Sequence, residues 1–297
     1  MTFSATLAAT VAATRRRPLP SAARWHYTPR VPRPPPPSKP PRLVVVDVAR
    51  GLAILQMIAF HFCYDLDYFG WLHVAMLADP RWIAWRSAIV TQFLFLVGIS
   101  MVLRGGVAAG TQAPVAPRAD RRFWRRWAQI AACAAIVSIA TRPLFGPRFI
   151  WFGILHFVAA AELLVVAAAW RTPPIRGASG IAALAGAGAA AVAVGSSVHF
   201  AAFDTNAWSW IGFAAHKPAT EDFVPILPWL GVVLLGMAAG ALWRRRAFTI
   251  PRALHRVNAP EGIGRVPAFL GRWPLTIYMA HQPILFGILF LLRSILK

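Results

Sequence analysis

Acidic residues and cysteines are scarce in this chain of 297 residues. Only ten side chains are Asp or Glu, and 14% of all residues are charged, whereas 58% are hydrophobic. Soluble domains carry about 25% charged residues, which keep their surfaces hydrated. The two cysteines, Cys63 and Cys133, supply neither a disulfide framework nor the spacing of a metal site. The composition excludes an ordinary soluble domain, and it predicts an integral membrane protein without a metal.

Seven apolar runs are long enough to cross a bilayer as helices. A helix needs about 17 to 25 apolar residues to cross a hydrocarbon core about 30 Å thick. No run alternates with the period of a barrel strand. The predicted spans are 43–63, 84–103, 126–143, 150–170, 178–198, 227–243 and 274–292. The sequence therefore predicts an all-α polytopic membrane helix bundle with about seven transmembrane helices, or eight as the alternative.

Basic residues are distributed unevenly between the two sides of this predicted bundle. The chain has 31 Lys and Arg residues and a net charge of +21. Twenty-three of them lie before the first span or in the loops on its side, and seven lie on the other side. Because cytoplasmic loops carry the excess of Lys and Arg, we predict a cytoplasmic N-terminus. The expected partner of this charge is the lipid bilayer, and no nucleic acid is expected.

Residues 1–42 differ from the rest of the chain in composition. They include three consecutive arginines and a run of four prolines, and such low-complexity sequence does not bury a core. We predict a disordered, basic, Pro-rich tail at 1–42 and a transmembrane domain at 43–297.

Four ionisable residues lie on one side of the first predicted span. At 100° per residue, Asp47, Arg50, His61 and Asp65 fall within an arc of about 60° that extends over about 27 Å. Each such group costs about 2.5 to 3.5 kcal/mol at the centre of a membrane helix, so it has to face the bundle interior or a water-filled cavity. The pattern predicts a continuous polar stripe across the bundle.

Two pairs within this stripe have spacings that favour side-chain contact. His61 and Asp65 are spaced i,i+4, so the carboxylate can accept from one ring nitrogen while the other faces a substrate, as in an oriented general base. A wetted helix end is the alternative. Asp47 and Arg50, spaced i,i+3, predict either an interfacial salt bridge or contact with a cytosolic anionic ligand.

Further polar residues are candidates for substrate contact in the fourth and sixth spans. Arg148 lies at the outer start of the fourth span, and His156 is either a packed hydrogen-bonding residue or a second base facing the bundle interior. Glu162 lies at mid-membrane depth, where a carboxylate needs a partner or a proton. Trp229 opens the sixth span at the membrane interface.

The last span contains a polar site next to a proline. His281 and Gln282 are followed by Pro283, about a third of the way from the cytoplasmic side. Proline removes one helix hydrogen bond, so we predict a polar site at a break in the backbone ladder. This interpretation places His281 with Arg50 toward the cytosol and His61 toward the opposite side.

Six segments occur in order along the chain: RLVVVDVARGL at 42–52, FHFCYDL at 60–66, FLFLVGIS at 93–100, FGILHF at 152–157, PILPW at 225–229 and YMAHQP at 278–283. Together they resemble bacterial multi-pass proteins of the heparan-alpha-glucosaminide N-acetyltransferase catalytic-domain type. Each segment is short and mostly apolar, but their order and predicted depth make the resemblance specific. It covers about residues 42 to 292.

The resemblance implies a membrane acyltransferase of the bacterial inner membrane, with cytosolic acetyl-CoA as acyl donor and an external glycan or related amine or hydroxyl acceptor. His61, oriented by Asp65, is expected to deprotonate the acceptor or to carry the acetyl group briefly. His281 or Arg50 is expected to position the thioester by a hydrogen bond. The lysosomal enzymes of the family use a histidine in the first luminal loop, and only His73 has a comparable place here, so His61 and His73 are alternatives.

Two other classes of function are open. A proton-coupled small-molecule transporter would also need a polar stripe. Two features weigh against it: the sequence has no internal repeat, and an odd number of spans does not suggest two inverted halves. The third class is a non-catalytic membrane protein on the same fold. In that class, Gly236 and Gly240 would join copies into a homo-oligomer, and packing of helices within one chain is the alternative for these small residues.

Overall fold

The computed structural model describes residues 43–76, 78–104, 119–171, 177–249 and 264–296. The tail predicted at 1–42 and most of the basic loop segments lie outside the described residues. The described part is helical and contains no β-strand. Its α-helices are α1 (Val44–Tyr68), α2 (Pro80–Arg104), α3 (Arg121–Phe145), α4 (Ile154–Arg171), α5 (Gly177–Ser197), α6 (Asn206–Ser209), α7 (Ile226–Arg245), α8 (Arg265–Leu270) and α9 (Pro274–Ile295). Short 3-10 helices occur at Gly146–Arg148 and Ala201–Phe203.

Seven of these helices are long and apolar enough to cross a membrane, namely α1, α2, α3, α4, α5, α7 and α9. The predicted polytopic helix bundle is thereby confirmed, and each predicted span overlaps one of these helices. We call the face of the bundle where α1 begins the near face, and the face where α1 ends the far face.

Two predicted boundaries were wrong by five residues. The first span was predicted to end at position 63, but α1 continues to Tyr68. Tyr64 and Asp65 can stay inside the bundle because they form hydrogen bonds with Glu221 and Gln282. The third span was predicted to start at 126, but α3 starts at Arg121, where the Asp120 side chain accepts from the Phe123 N–H at 2.8 Å. Such an N-cap stabilises a helix by about 1 kcal/mol.

Helix α7 lies at the centre of the packing and contacts α2, α4 and α5. The close approach of α2 and α7 depends on two glycines that face each other's helix. A Cβ atom on Gly98 would collide with the Val233 carbonyl, and one on Gly236 would collide with the Phe95 carbonyl. Small residues allow such contact between membrane helices. Gly236 therefore packs α7 inside the bundle.

Helix α8 fixes the depth at which α9 begins. It packs against the start of α1, where Gly51 abuts Pro267 and Gly271 abuts the carbonyl of Asp47. Helix α9 starts three residues after Gly271 and runs beside α1 in the same direction. This arrangement brings the second turn of α9 next to the middle of α1.

The predicted polar stripe of α1 is not continuous. Ile54 and Met57 lie on the same side of the helix between Arg50 and His61, and both are buried. They belong to an apolar cluster with Phe60, Met76 and Ile89. The sequence prediction counted only ionisable residues and so missed the apolar residues between them. The polar residues of α1 therefore belong to two separate polar sites, one on each side of this apolar cluster.

Candidate active site

A cavity of about 650 Å³ lies in the far half of the bundle, between α1, α2, α3 and α9. Its volume is in the range of small-molecule sites, about 300 to 1,000 Å³. We call it the histidine cavity. The polar side chains that line it are His61, Tyr64, Arg86, Thr141, Glu221, Asp222, Tyr278, His281 and Gln282.

His281 lines this cavity, and its backbone contact defines the tautomer of the neutral ring. Its Nδ1 lies 2.6 Å from the carbonyl oxygen of Tyr278. A carbonyl only accepts hydrogen bonds, so Nδ1 carries the proton and Nε2 of the neutral ring has a free lone pair. The side chain is buried, and Nε2 has no hydrogen-bond partner among the described residues. His281 therefore has the geometry of a general base.

His61 lies against His281 rather than against Asp65. The centroids of the two imidazole rings are 4.9 Å apart, and the ring planes meet at 61°. The predicted hydrogen bond between His61 and Asp65 is not formed. Instead, Asp65 Oδ1 accepts from Gln282 Nε2 at 2.7 Å, and His61 Nδ1 is buried without a partner in the described structure. The prediction that His281 lies with Arg50, away from His61, was also wrong. Helix α8 packs against the start of α1, so α9 begins farther from the near face than the sequence suggested.

Residues 220–224 cross the far face and deliver two carboxylates to the cavity. Thr220 Oγ1 donates to the Phe149 carbonyl at 2.8 Å, the Glu221 N–H donates to the Arg148 carbonyl at 3.1 Å, and the Val224 N–H donates to the Phe152 carbonyl at 3.2 Å. These bonds fix the segment against the start of α4. They hold the side chains of Glu221 and Asp222 over the cavity.

Glu221 and Asp222 form contacts with several helices at the far-face edge of the histidine cavity, which we call the rim. Glu221 accepts from the Tyr64 hydroxyl and forms an ion pair with Arg148 at 2.8 Å. Asp222 accepts from the N–H of Ile154 at 2.9 Å, which caps α4, and lies 3.6 Å from Arg86. The rim is therefore a connected set of charges around the mouth of the cavity.

The rim contains more basic than acidic side chains. Desolvation and the nearby positive charge of Arg86 lower the pKa of Lys217, while Asp222 and Glu221 oppose this shift. The rim therefore has three basic side chains, Lys217, Arg86 and Arg148, and two carboxylates, Glu221 and Asp222.

Sequence reasoning missed Tyr64, Arg86, Glu221 and Asp222 as site residues. Tyr64 had a signal, since it follows His61 by three residues and lies about 60° away on the same side of α1. The other three reach the cavity through contacts between segments distant in sequence, which no periodicity reveals.

A second polar site, which we call the near-face cluster, joins α1, α2 and α4. Arg50 donates to Asp47 at 2.9 Å and to the Ser100 hydroxyl at 2.7 Å. Arg104 donates to Glu162 at 2.6 Å. Glu162 is fully buried, so Arg104 is the partner that its depth requires. The sequence prediction had treated Arg104 as a loop residue.

Arg126 of α3 adds a further positive charge to the near-face cluster. It interacts electrostatically with Arg104, Glu162 and Arg50. From the sequence, Arg126 was the first residue of the third predicted span, and its charge was counted with the basic residues on the N-terminal side.

The remaining predicted site residues do not line the histidine cavity. His156 has both ring nitrogens occupied, with Nε2 3.0 Å from the Ser138 hydroxyl and Nδ1 accepting from the Gly153 N–H at 3.3 Å. Trp229 packs against the main hydrophobic core. His73 is exposed in the loop after α1. Arg148 reaches the cavity only through Glu221.

The fold and this site define a class, that of multi-pass membrane proteins with a histidine cavity between the helices. Residues 42–283 match the family described as "Heparan-alpha-glucosaminide N-acetyltransferase, catalytic". The chain belongs to this family. Membership indicates membrane acetyltransferase activity, with acetyl-CoA as the general donor of the family. No curated protein and no solved structure matches the chain.

Proposed function

We propose that the protein transfers an acetyl group from acetyl-CoA to an amine or hydroxyl acceptor in the histidine cavity. The observation that carries the proposal is the geometry of His281, which lines the cavity. Its Nδ1 is bonded to a carbonyl, and its buried Nε2 has no partner among the described residues. A base in this state is ready to remove a proton from an acceptor.

The two histidines have different roles in this proposal. His281 Nε2 takes the proton of the acceptor as the acceptor nitrogen or oxygen attacks the thioester carbonyl. His61, in ring contact with His281, donates a hydrogen bond to the carbonyl oxygen as it becomes negative. These roles reverse those expected from the sequence, because the contacts of Asp65 orient Gln282 and not His61.

The reaction is balanced by return of the proton. The new bond joins the acetyl carbon to the acceptor, and the carbon–sulfur bond breaks. The CoA thiolate leaves and takes the proton from the His281 imidazolium, which restores the neutral ring. Gln282 Oε1 is buried and has no partner among the described residues. In this proposal it accepts a hydrogen bond from the second N–H of an amine acceptor.

The near-face cluster is the proposed site for the phosphate groups of CoA. The cluster has a net positive charge, because it contains three arginines, Arg50, Arg104 and Arg126, and two carboxylates, Asp47 and Glu162. Guanidinium groups bind phosphate well. This assignment takes the near face as cytosolic, in keeping with the excess of basic residues on the N-terminal side.

The donor then extends from the near-face cluster to the histidine cavity. Arg50 and His61 are eleven residues apart on α1, or about 16 Å along the helix axis. Met57 belongs to the apolar cluster between the two sites and also lines the cavity. Since methionine side chains are flexible, Met57 is the proposed place where the pantetheine arm passes.

The experiment is acetyl transfer by the purified protein in lipid nanodiscs. Acetyl-CoA is supplied with methyl glucosaminide, a simple amine acceptor, and free thiol and N-acetyl product are both measured. Wild type is expected to form them in equal amounts. His281→Ala is expected to be at least 100-fold slower with unchanged affinity for acetyl-CoA. Full activity in His281→Ala would disprove the assignment of the base.

A proton-coupled transporter would use a polar route from one face to the other. The buried Ile54 and Met57 separate the two polar sites and do not favour such a route. The same nanodisc experiment distinguishes a non-catalytic protein, which would release no thiol.

A further inference from the structure

One wall of the histidine cavity is apolar and is formed by α3 and α9. The residues on α3 are spaced i, i+4, i+8 at Ile136, Ala140 and Leu144, and Phe286 and Phe290 continue the wall on α9. Ile136 is 54% exposed, Leu144 65% and Phe290 58%. In a membrane-spanning segment, such exposed apolar side chains face hydrocarbon. We call this part of the cavity the lateral groove.

Helices α3 and α9 do not pack against each other along this groove. Helix α3 packs on α4, where Trp127 donates to the Ala159 carbonyl at 3.0 Å, and α9 packs on α1. Among the described residues, no hydrogen bond or ring contact joins α3 directly to α9. The gap between them opens sideways into the depth of the bilayer.

The aromatic ring of Tyr68 lies at the far end of the groove. Its centroid is 6.4 Å from that of Phe145 on α3 and 5.5 Å from that of Phe286 on α9. Access from the far aqueous face is therefore obstructed along this side, while access from the hydrocarbon is not.

The inner end of the same cavity is polar and incompletely bonded. His281 is 8% exposed, and its Nε2 and the Oε1 of Gln282 are buried without partners among the described residues. One continuous space thus joins an apolar surface at membrane depth to buried groups that require a polar ligand. An amphiphile fits both ends, whereas a wholly water-soluble glycan fits only the polar end.

We propose that the acceptor is anchored in the membrane: a molecule with a long hydrophobic chain and a polar head that bears an amine or hydroxyl. The chain lies in the lateral groove between α3 and α9, and the head reaches His281. This inference rests on the proposed acetyl transfer, and it adds the substrate class and its route of access. The segment of α9 that lines the groove beyond Pro283 lies outside the residues matched to the family.

Gly287 allows the groove to be narrowed with little disturbance. It lines the cavity, and a Cβ atom placed on it would have no neighbour within 4 Å. Gly186 on α5 provides a matched control, since it is also helical and also has open space, but it does not line the cavity. The variants are Gly287→Leu and Gly186→Leu, with Ala140→Phe as a second obstruction from the α3 side.

The probes are dodecyl glucosaminide and methyl glucosaminide, which have the same head group. Turnover of each probe is compared between variants in nanodiscs. Gly287→Leu and Ala140→Phe are expected to lower kcat/KM at least tenfold for the dodecyl probe and less than twofold for the methyl probe. Gly186→Leu is expected to leave both unchanged. Equal effects of Gly287→Leu on the two probes, or no effect on either, would overturn the inference.

A binding measurement separates this inference from the proposed function. A dodecyl glucosaminide with a photoreactive group on its chain is crosslinked to the protein without acetyl-CoA. Labelling is expected on α3 and α9, and Gly287→Leu is expected to reduce it at least fivefold while Gly186→Leu does not. Such labelling without any acetyl transfer would reject the proposed function alone. Labelling spread equally over α5 would reject the groove.

Discussion

The near-face cluster and the histidine cavity differ in whether their buried ionisable groups form ion pairs. In the near-face cluster, Asp47 is paired with Arg50 and Glu162 with Arg104, both by charged hydrogen bonds, although the second carboxylate oxygen of Glu162, Oε2, is buried without a partner in the described structure. In the histidine cavity, buried atoms of His61, Asp65, His281 and Gln282 have no partner among the described residues. Paired charges hold helices together, whereas buried groups without partners cost stability and are retained where a ligand completes them.

The largest expected effect on stability is in the near-face cluster. Arg104→Met leaves the fully buried Glu162 without its cation, and breaking a buried pair in this way costs about 3 to 5 kcal/mol. Thermal unfolding in detergent measures the change. The control is the double variant Arg104→Met with Glu162→Met, which removes both charges and is expected to recover most of the loss. A single variant as stable as wild type would contradict the role of this pair.

The opposite result is expected at His281. His281→Leu removes a buried atom without a partner as well as the bond to Tyr278, so the free energy of unfolding is expected to change by about 1 kcal/mol or less. Acetyl transfer is expected to fall about 100-fold. A loss of stability as large as that of Arg104→Met would show that His281 is structural, and the contrast between the two sites would fail.

A smaller effect is expected for binding of the donor. Arg50→Gln removes one cation from the near-face cluster while the glutamine can still bond Ser100. The KM for acetyl-CoA is expected to rise about tenfold because one charged hydrogen bond to the donor is lost, while kcat is expected to stay nearly unchanged. The same comparison with dephospho-CoA thioester identifies which phosphate is bound. A fall in kcat at constant KM would place Arg50 outside the donor site.

The smallest effect is expected at His73. This residue is exposed in the loop after α1 and does not line the cavity. His73→Ala is expected to change kcat/KM for acetyl transfer by less than twofold. A loss comparable with that of His281→Ala would instead support His73 as the catalytic histidine, the alternative that the resemblance implies.

The length of the apolar runs predicted the fold well because each membrane span is a local property of about twenty residues. The seven spans were found, and the salt bridge of Asp47 with Arg50 agrees with their spacing. The partners of Glu162 and Asp65 were not found, since Arg104 and Gln282 come from distant helices. Those contacts depend on how helices pack, which spacing along one helix does not reveal.

The depth of His281 shows the same limit of local reasoning. Counting residues from the membrane interface placed it on the cytosolic side, but α8 packs against the start of α1 and α9 begins beyond it. Two residues of the motif at 278–283, His281 and Gln282, line the cavity, and only the tertiary structure brings His281 to His61.

The separation of donor and acceptor sites is tested most directly in sealed vesicles with the protein in one known orientation. Radiolabelled acetyl-CoA is supplied only at the near face, and methyl glucosaminide is confined to the far side. We expect labelled N-acetyl product on the far side, at a rate that His281→Ala lowers at least 100-fold. Product formed only when both substrates share one side would contradict transfer between two sites across the apolar cluster.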